Sequence, residues 1–188
     1  LQHKHSSSFS PLLVMFSAFP LSKAYRLINR ALVSGSIASL GSALALTALG
    51  KKELNKSAAP MNGPSQWIWG KHAPYMNEFS MRYTVIGYLI HHAASIFWAL
   101  WHQVLCERIQ VDDKKLHATA TAVAITASAY AVDFHLIPKR LTPGFEHRLS
   151  KRSLILVYGV FALGLAAPAL LESRQNTKNR KCKINKAT

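Results

Sequence analysis

Four long apolar stretches constrain this chain more than any other feature of its sequence. They are Ala31–Gly50, Tyr83–Cys106, Leu116–Pro138 and Ser153–Leu171, and with histidine counted as neutral their one formal charge is Asp133. About 20 mainly apolar residues in a helix cross the hydrocarbon core of a bilayer. A bilayer admits only helices or closed barrels, and the alternation of barrel strands is absent here. The sequence therefore predicts an all-α membrane protein with four transmembrane helices in an up-down bundle.

Charge is segregated from these apolar stretches. All 23 Lys and Arg residues lie outside them, although the average composition, with 49% hydrophobic residues, resembles that of a soluble protein. The net charge of +15 is typical of nucleic-acid binders, but the basic residues cluster at the ends of the stretches instead of on one face. We therefore expect anionic lipid headgroups as partners, and no nucleic acid. The expected headgroup-binding residues are Lys139, Arg140, Arg148, Lys151 and Arg152.

The chain is expected to divide into three parts. Residues 1–22 are expected to form a disordered or surface-lying N-terminus, and 1–14 are expected to be a start-site artefact if Met15 is the true start. Residues 23–172 form the transmembrane domain, and 173–188 form a basic cytoplasmic tail.

The connections between the stretches predict short interfacial amphipathic segments. The first connection, Lys51–Arg82, becomes rich in aromatic residues after Pro64, as expected for a segment lying on the membrane surface. In the third connection, Thr142 and Pro143 form a typical helix start, and a short amphipathic helix is expected to follow.

The distribution of Lys and Arg predicts the orientation and the type of membrane. With both termini in the cytoplasm, 13 Lys and Arg residues lie inside and 10 outside, which favours the N-in/C-in topology. The small size and the basic tail favour a multi-pass protein of the bacterial inner membrane. One glycosylation motif, Asn55-Lys56-Ser57, keeps a eukaryotic membrane open as an alternative.

Small residues recur at helical spacing in these stretches. Such residues let helix backbones approach closely within lipid, which predicts tight packing inside the bundle or with another subunit. A homo-oligomer or a larger membrane complex is therefore expected. The residues expected to pack are Ala31, Gly35, Ser39, Ala43 and Gly159.

Histidines supply most of the candidate chemistry. The residues that could act as intramembrane polar groups or ligands are His91, His92, His102, His117, Asp133 and His135. An ionisable residue within a membrane is costly and by default suggests function together with a partner. We expect His91 or His92 to be the hydrogen-bonding partner of Asp133.

Three interpretations of these residues compete. In the first, a b-type haem or another metal is held by His102 with His117, or by His135 with His91 or His92. In the second, Asp133 and the histidines relay protons or bind the substrate of a small transporter or proton-linked permease. In the third, they form hydrogen bonds between helices, and no cofactor is bound.

Enzyme signatures are missing from the chain. It has no HExxH, GxSxG or Walker motif, no catalytic residue can be named, and its two cysteines show no metal-binding spacing. The leading hypothesis is therefore a non-enzymatic structural, assembly or accessory subunit of a membrane. The haem-binding redox protein and the permease remain the alternatives.

Overall fold

The protein is described by a computed structural model that covers residues 21–109 and 112–184, with side chains from 21 to 172. The proposed start-site artefact and most of the predicted N-terminal segment lie outside these residues. So do residues 185–188 of the predicted tail.

Helices and short turns make up the described structure, which contains no β-strand in these residues. The four long helices are α1 (Leu21–Leu54), α2 (Ile86–Arg108), α3 (Lys114–Ala131) and α4 (Lys151–Ile184). One turn of π-helix, Met81–Val85, leads into α2, and another, Val132–Leu136, continues α3.

Three of the described helical segments are long and apolar enough to cross a membrane. They are Leu21–Leu54, Met81–Arg108 and Lys151–Glu172. Helix α3, which covers most of the third predicted stretch, is shorter and rich in Ala and Thr. The three apolar helices indicate a membrane-embedded protein.

The outward surfaces of these helices are apolar. In α1, Leu40 and Leu44 expose 54% and 71% of their surface, and in α4 Ile155 and Leu163 expose 68% and 63%. Large apolar residues at such positions are expected where the neighbouring medium is lipid. The interior contains small and hydroxyl-bearing residues in addition to buried leucines and phenylalanines.

The core of the bundle draws on all four helices. Ala31 and Ala38 of α1, Ala99 of α2, Ala122 of α3 and Phe161 of α4 form one buried cluster. Because most of these side chains are alanines, the helix backbones lie close together.

Small residues of α1 allow neighbouring helices to approach closely. A Cβ atom added at Gly35 would lie 2.9 Å from the Ile96 Cα atom of α2. Ala31 and Ser39 share this buried face, and Ala43 is half-buried. Four of the residues expected to pack therefore lie on the inner side of α1.

Gly159, in contrast, does not pack within the described residues, and its packing against another subunit stays a prediction. It is exposed, and a Cβ atom there would meet nothing within 4 Å. Gly164, five residues later, makes the contact instead, since its Cβ atom would lie 2.4 Å from the Ala38 Cα atom.

The first connection is folded, which differs from the predicted segment lying on the membrane. Residues 59–66 are buried, and the Asn62 side chain holds them in place. Its amide donates hydrogen bonds to the Met76 and Glu78 carbonyl oxygens, and its Oδ1 accepts one from the Thr84 hydroxyl at 2.6 Å. Aromatic side chains such as Tyr75 and Phe79 remain exposed, as a membrane boundary requires.

The third connection packs on the first. The predicted amphipathic helix is reduced to one 3₁₀ turn, Phe145–His147, because Gly144 adopts a positive φ of 83° and contacts the Gly63 backbone. The Gln66 amide donates a hydrogen bond to the Thr142 carbonyl oxygen at 2.7 Å. Thr142 thus joins the two connections instead of starting a helix.

Glycine-to-alanine substitutions in α4 test the close approach of α1 and α4. Gly164→Ala is expected to destabilise the protein by about 1–3 kcal/mol, because the new methyl group overlaps the α1 backbone. Gly159→Ala is the matched control and is expected to stabilise it by about 0.5–1 kcal/mol through helix propensity. Thermal unfolding in detergent measures both. Equal effects of the two substitutions would contradict the packing described here.

Candidate functional site

A cavity of about 70 Å³ lies among all four helices and the two folded connections. Its polar lining consists of Ser42 of α1, His91 and Ser95 of α2, Asp133 after α3 and Tyr158 of α4. Aromatic side chains, Trp67, Trp98, Phe145 and Phe161, form much of the remaining wall. The cavity therefore brings together two of the six candidate residues named from the sequence, His91 and Asp133, in a site whose wall is mainly apolar.

Asp133 is held by α4. The Tyr158 hydroxyl donates a hydrogen bond to its Oδ2 atom at 2.6 Å. The Tyr158 ring is fixed in turn by edge contacts with Tyr130 and Phe134, whose centroids lie 5.3 and 5.9 Å away. The expected partner, His91 or His92, is therefore replaced by a tyrosine, although His91 lines the same cavity.

His91 is held by α1. Its Nε2 atom lies 2.9 Å from the Ser42 hydroxyl oxygen, and this hydroxyl lies 2.7 Å from the Ala38 carbonyl oxygen. A hydroxyl has one proton, and a carbonyl can only accept, so Ser42 donates to Ala38. His91 then donates from Nε2 to Ser42, which assigns the proton of a neutral imidazole to Nε2.

His102 is held by α3. Its Nε2 atom lies 3.1 Å from the Ala118 carbonyl oxygen, so Nε2 again carries the proton. Its Nδ1 atom lies 3.4 Å from the side-chain amide nitrogen of Gln103. The ring is buried, and its two nitrogens are both occupied by protein groups.

The remaining histidines have different surroundings. His92 stacks on Tyr88 with ring centroids 5.7 Å apart, and its Nδ1 atom is buried without a hydrogen-bond partner. The Nε2 atom of His117 is also buried without a partner. His135 is exposed, 6.3 Å from the Tyr130 ring, and does not line the cavity.

Two of the predicted haem-binding pairs, His102 with His117 and His91 with His135, do not fit this arrangement, and the pair of His92 with His135 stays a prediction. A neutral imidazole that donates from Nε2, as in His91 and His102, keeps its ligating lone pair on Nδ1, and in His102 that atom faces the Gln103 amide at 3.4 Å. His91 lines the cavity and His135 lies outside it. The cavity has about half the volume of a cavity that holds a benzene molecule. A volume of this size is too small for the macrocycle of a haem. Within the residues that the structure describes, no group of three or more His, Cys, Asp or Glu side chains is arranged to hold a metal ion.

The residues expected to bind lipid headgroups lie in and after the third connection. Lys139, Arg140, Lys151 and Arg152 are exposed, and Arg148 donates a hydrogen bond to the Asn77 side chain at 2.5 Å. Their positions next to α4 are compatible with a membrane boundary, and headgroup binding stays a prediction.

Sequence reasoning missed Tyr158, Ser42 and Trp67. Tyr158 had a usable signal, since it is the one tyrosine in the fourth apolar stretch and Asp133 requires a hydrogen-bond donor. Trp67 had none, because it enters the site only through the folding of the first connection.

Comparison with known proteins identifies no relative. No family model matches the chain, no curated protein matches it, and no solved structure matches it.

A tyrosine-to-phenylalanine pair tests the bond that holds Asp133. Tyr158→Phe is expected to lower the free energy of unfolding by about 0.6–1.7 kcal/mol, the range for interhelical hydrogen bonds in membranes. Tyr130→Phe removes a hydroxyl from the same aromatic cluster without removing a hydrogen bond, and should have little effect. Unfolding titrations in mixed micelles compare the two. A similar loss in both variants would show that ring packing, and not the Asp133 bond, is what stabilises this site.

Proposed function

We propose that the chain is a non-enzymatic integral membrane protein that acts as a structural, assembly or accessory subunit. The observation that carries this proposal is the set of hydrogen bonds that its intramembrane polar residues form. They fasten neighbouring helices to one another, and the singled-out candidates Asp133, His91 and His102 each take part in such a bond.

Together with one packing contact, these hydrogen bonds connect each of the four helices to the next. Ser42 with His91 joins α1 to α2, His102 with the Ala118 carbonyl joins α2 to α3, and Asp133 with Tyr158 joins α3 to α4. Close packing at Gly164 completes the series between α4 and α1. Polar groups within lipid are stabilised by such partners, so the arrangement supports a scaffold role.

The proposal includes a four-span bundle in which α3 crosses the membrane. Its support is that α3 bonds to both neighbouring helices and contributes Ala118, Ala122 and Ala129 to the interior. A helix lying on the membrane surface would not be expected to bury alanines between two spanning helices. The proposal also places the protein in a bacterial inner membrane, on its small size and basic tail, with both termini in the cytoplasm, on the distribution of Lys and Arg.

Single-cysteine labelling tests this topology. In a background with Cys106→Ala and Cys182→Ala, one cysteine is placed at Lys71, Asp112 or Lys139, in the three connections. A membrane-impermeant maleimide applied to intact cells is expected to label positions 71 and 139 but not 112. Permeabilised cells, in which all three should react, provide the control.

Two other labelling patterns would revise the proposal. Labelling of 112 and 139 from the same side would show that α3 does not cross the bilayer. Labelling of 112 alone would keep four spans and reverse the orientation.

Electrophoresis of native membrane complexes tests the subunit role. After extraction in a mild detergent, the chain is expected to migrate in an assembly far larger than its own 20.8 kDa and detergent allow. The expected assembly contains a constant second component, identified by mass spectrometry. A chain that migrates only as a monomer, or only with copies of itself, would contradict the accessory role.

A second candidate function is a small proton-linked permease. The observation that favours it is the cavity, in which Asp133 and His91 line the same space between the helices. Transport into vesicles distinguishes the permease from the structural or accessory subunit. A proton-coupled flux that Asp133→Asn abolishes, in a protein that remains folded, would favour the permease over the scaffold.

A further inference from the structure

We propose that the cavity between the helices is a binding site for a small organic ammonium ion, with Asp133 as its counter-charge. This goes beyond the accessory role, since a subunit of a complex does not require a ligand within its own bundle. The argument rests on the charge of the cavity, its aromatic walls and its volume.

Asp133 places a carboxyl group in the wall of the cavity. Among the described residues, no Lys or Arg lies within ion-pair distance of Asp133. Tyr158 neutralises no charge, and it occupies only the Oδ2 atom, so Oδ1 is left without a hydrogen-bond donor in this part of the chain. Carboxylates in an apolar setting are costly unless a cation or a proton accompanies them.

Glu146, in the third connection, is a further carboxyl group of the described chain, but it does not line the cavity. Its Oε1 atom lies 3.6 Å from His147 Nε2, while its Oε2 atom is buried with no hydrogen-bond partner. Within the described residues, the Asp133 carboxyl group is therefore the one that lines the cavity and has no basic partner, which favours a positively charged ligand over an anionic one.

The walls of the cavity suit an organic cation. Trp67 and Trp98 both line it, and the faces of tryptophan rings attract ammonium groups. The aliphatic and aromatic side chains around them, such as Val157 and Phe161, would repel a hydrated inorganic ion but accept the carbon atoms of an alkylamine.

The volume limits the ligand to a few non-hydrogen atoms. The cavity measures about 70 Å³, and a cavity of roughly 150 Å³ holds a benzene molecule. Trp67, which is 40% exposed, and Leu141, which is 38% exposed, lie at its edge, so a longer chain attached to the ammonium group could extend outward. Such a group has two sources, a free short-chain amine or the ethanolamine headgroup of a lipid.

Tryptophan fluorescence tests the proposal on the purified full-length protein in dodecyl maltoside, which carries no amine. Titration with ethylammonium chloride is expected to give a saturable change. Ethanol, which has the same number of non-hydrogen atoms and no charge, and sodium acetate, which has the opposite charge, should give none. A linear response, or an equal response to ethanol, would overturn the proposal.

Variants assign the binding to the cavity. Asp133→Asn is expected to weaken ethylammonium binding by about tenfold or more, as loss of a charge-assisted hydrogen bond predicts. Asp112→Asn removes the same charge at an exposed position outside the cavity and should bind as the wild type does. If Asp133→Asn does not fold, Trp67→Leu at the mouth of the cavity replaces it, with calorimetry as the readout and weaker binding expected. Unchanged binding in a folded cavity variant would contradict the site.

Lipid competition distinguishes the two sources of the ammonium group. Phosphatidylethanolamine added to the micelles is expected to displace ethylammonium if the headgroup is the ligand, whereas phosphatidylglycerol should not. Absence of displacement by either lipid would assign the site to a free amine. Failure of ethylammonium to bind would leave the accessory role unaffected, because that role is tested by the size of the native complex.

Discussion

The close approach of helix backbones at small residues sets the spacing of α1 against α2 and α4. Gly35 against Ile96 and Gly164 against Ala38 allow no side chain between α1 and its two neighbours. Only at this spacing can a short hydroxyl such as that of Ser42 reach an imidazole on the next helix. In lipid, where apolar burial does not drive helices together, packing and hydrogen bonds of this kind supply the association.

The same constraint explains why the polar residues are distributed among the helices. A polar group facing lipid would lose its hydrogen bonds, so Asp133, His91 and His102 are each turned toward a partner on a neighbouring helix. Ser153 and Glu53 continue the pattern at the ends of the helices, where the Glu53 carboxylate accepts hydrogen bonds from Ser150 and Ser153 and joins the end of α1 to the start of α4. The proposed scaffold role depends on the hydrogen bonds between helices, whereas the proposed ligand site depends on Oδ1 of Asp133, which accepts no hydrogen bond from the described residues.

The connections contribute more to the structure than linkers usually do. Asn62 folds the first connection around its own side chain, and Gln66 attaches it to Thr142 of the third. Through this contact Trp67 and Phe145 reach the cavity and form part of its wall. A site that combines residues of four helices and two connections is assembled only when the whole chain has folded.

The sequence by itself determined the helical class, three of the four predicted apolar segments and the small-residue face of α1, because length, hydropathy and spacing are local properties. It also identified Asp133 and His91 as unusual, since each is a polar residue among apolar neighbours. It did not determine that Asp133 bonds to Tyr158, that Gly164 packs in place of Gly159, or that the first connection is buried. Those outcomes depend on which faces of distant segments meet, on the rotation of each helix about its axis and on the folding of the connections. Only the tertiary structure decides these, because the residues involved lie up to about a hundred positions apart along the chain, as Glu53 and Ser153 do.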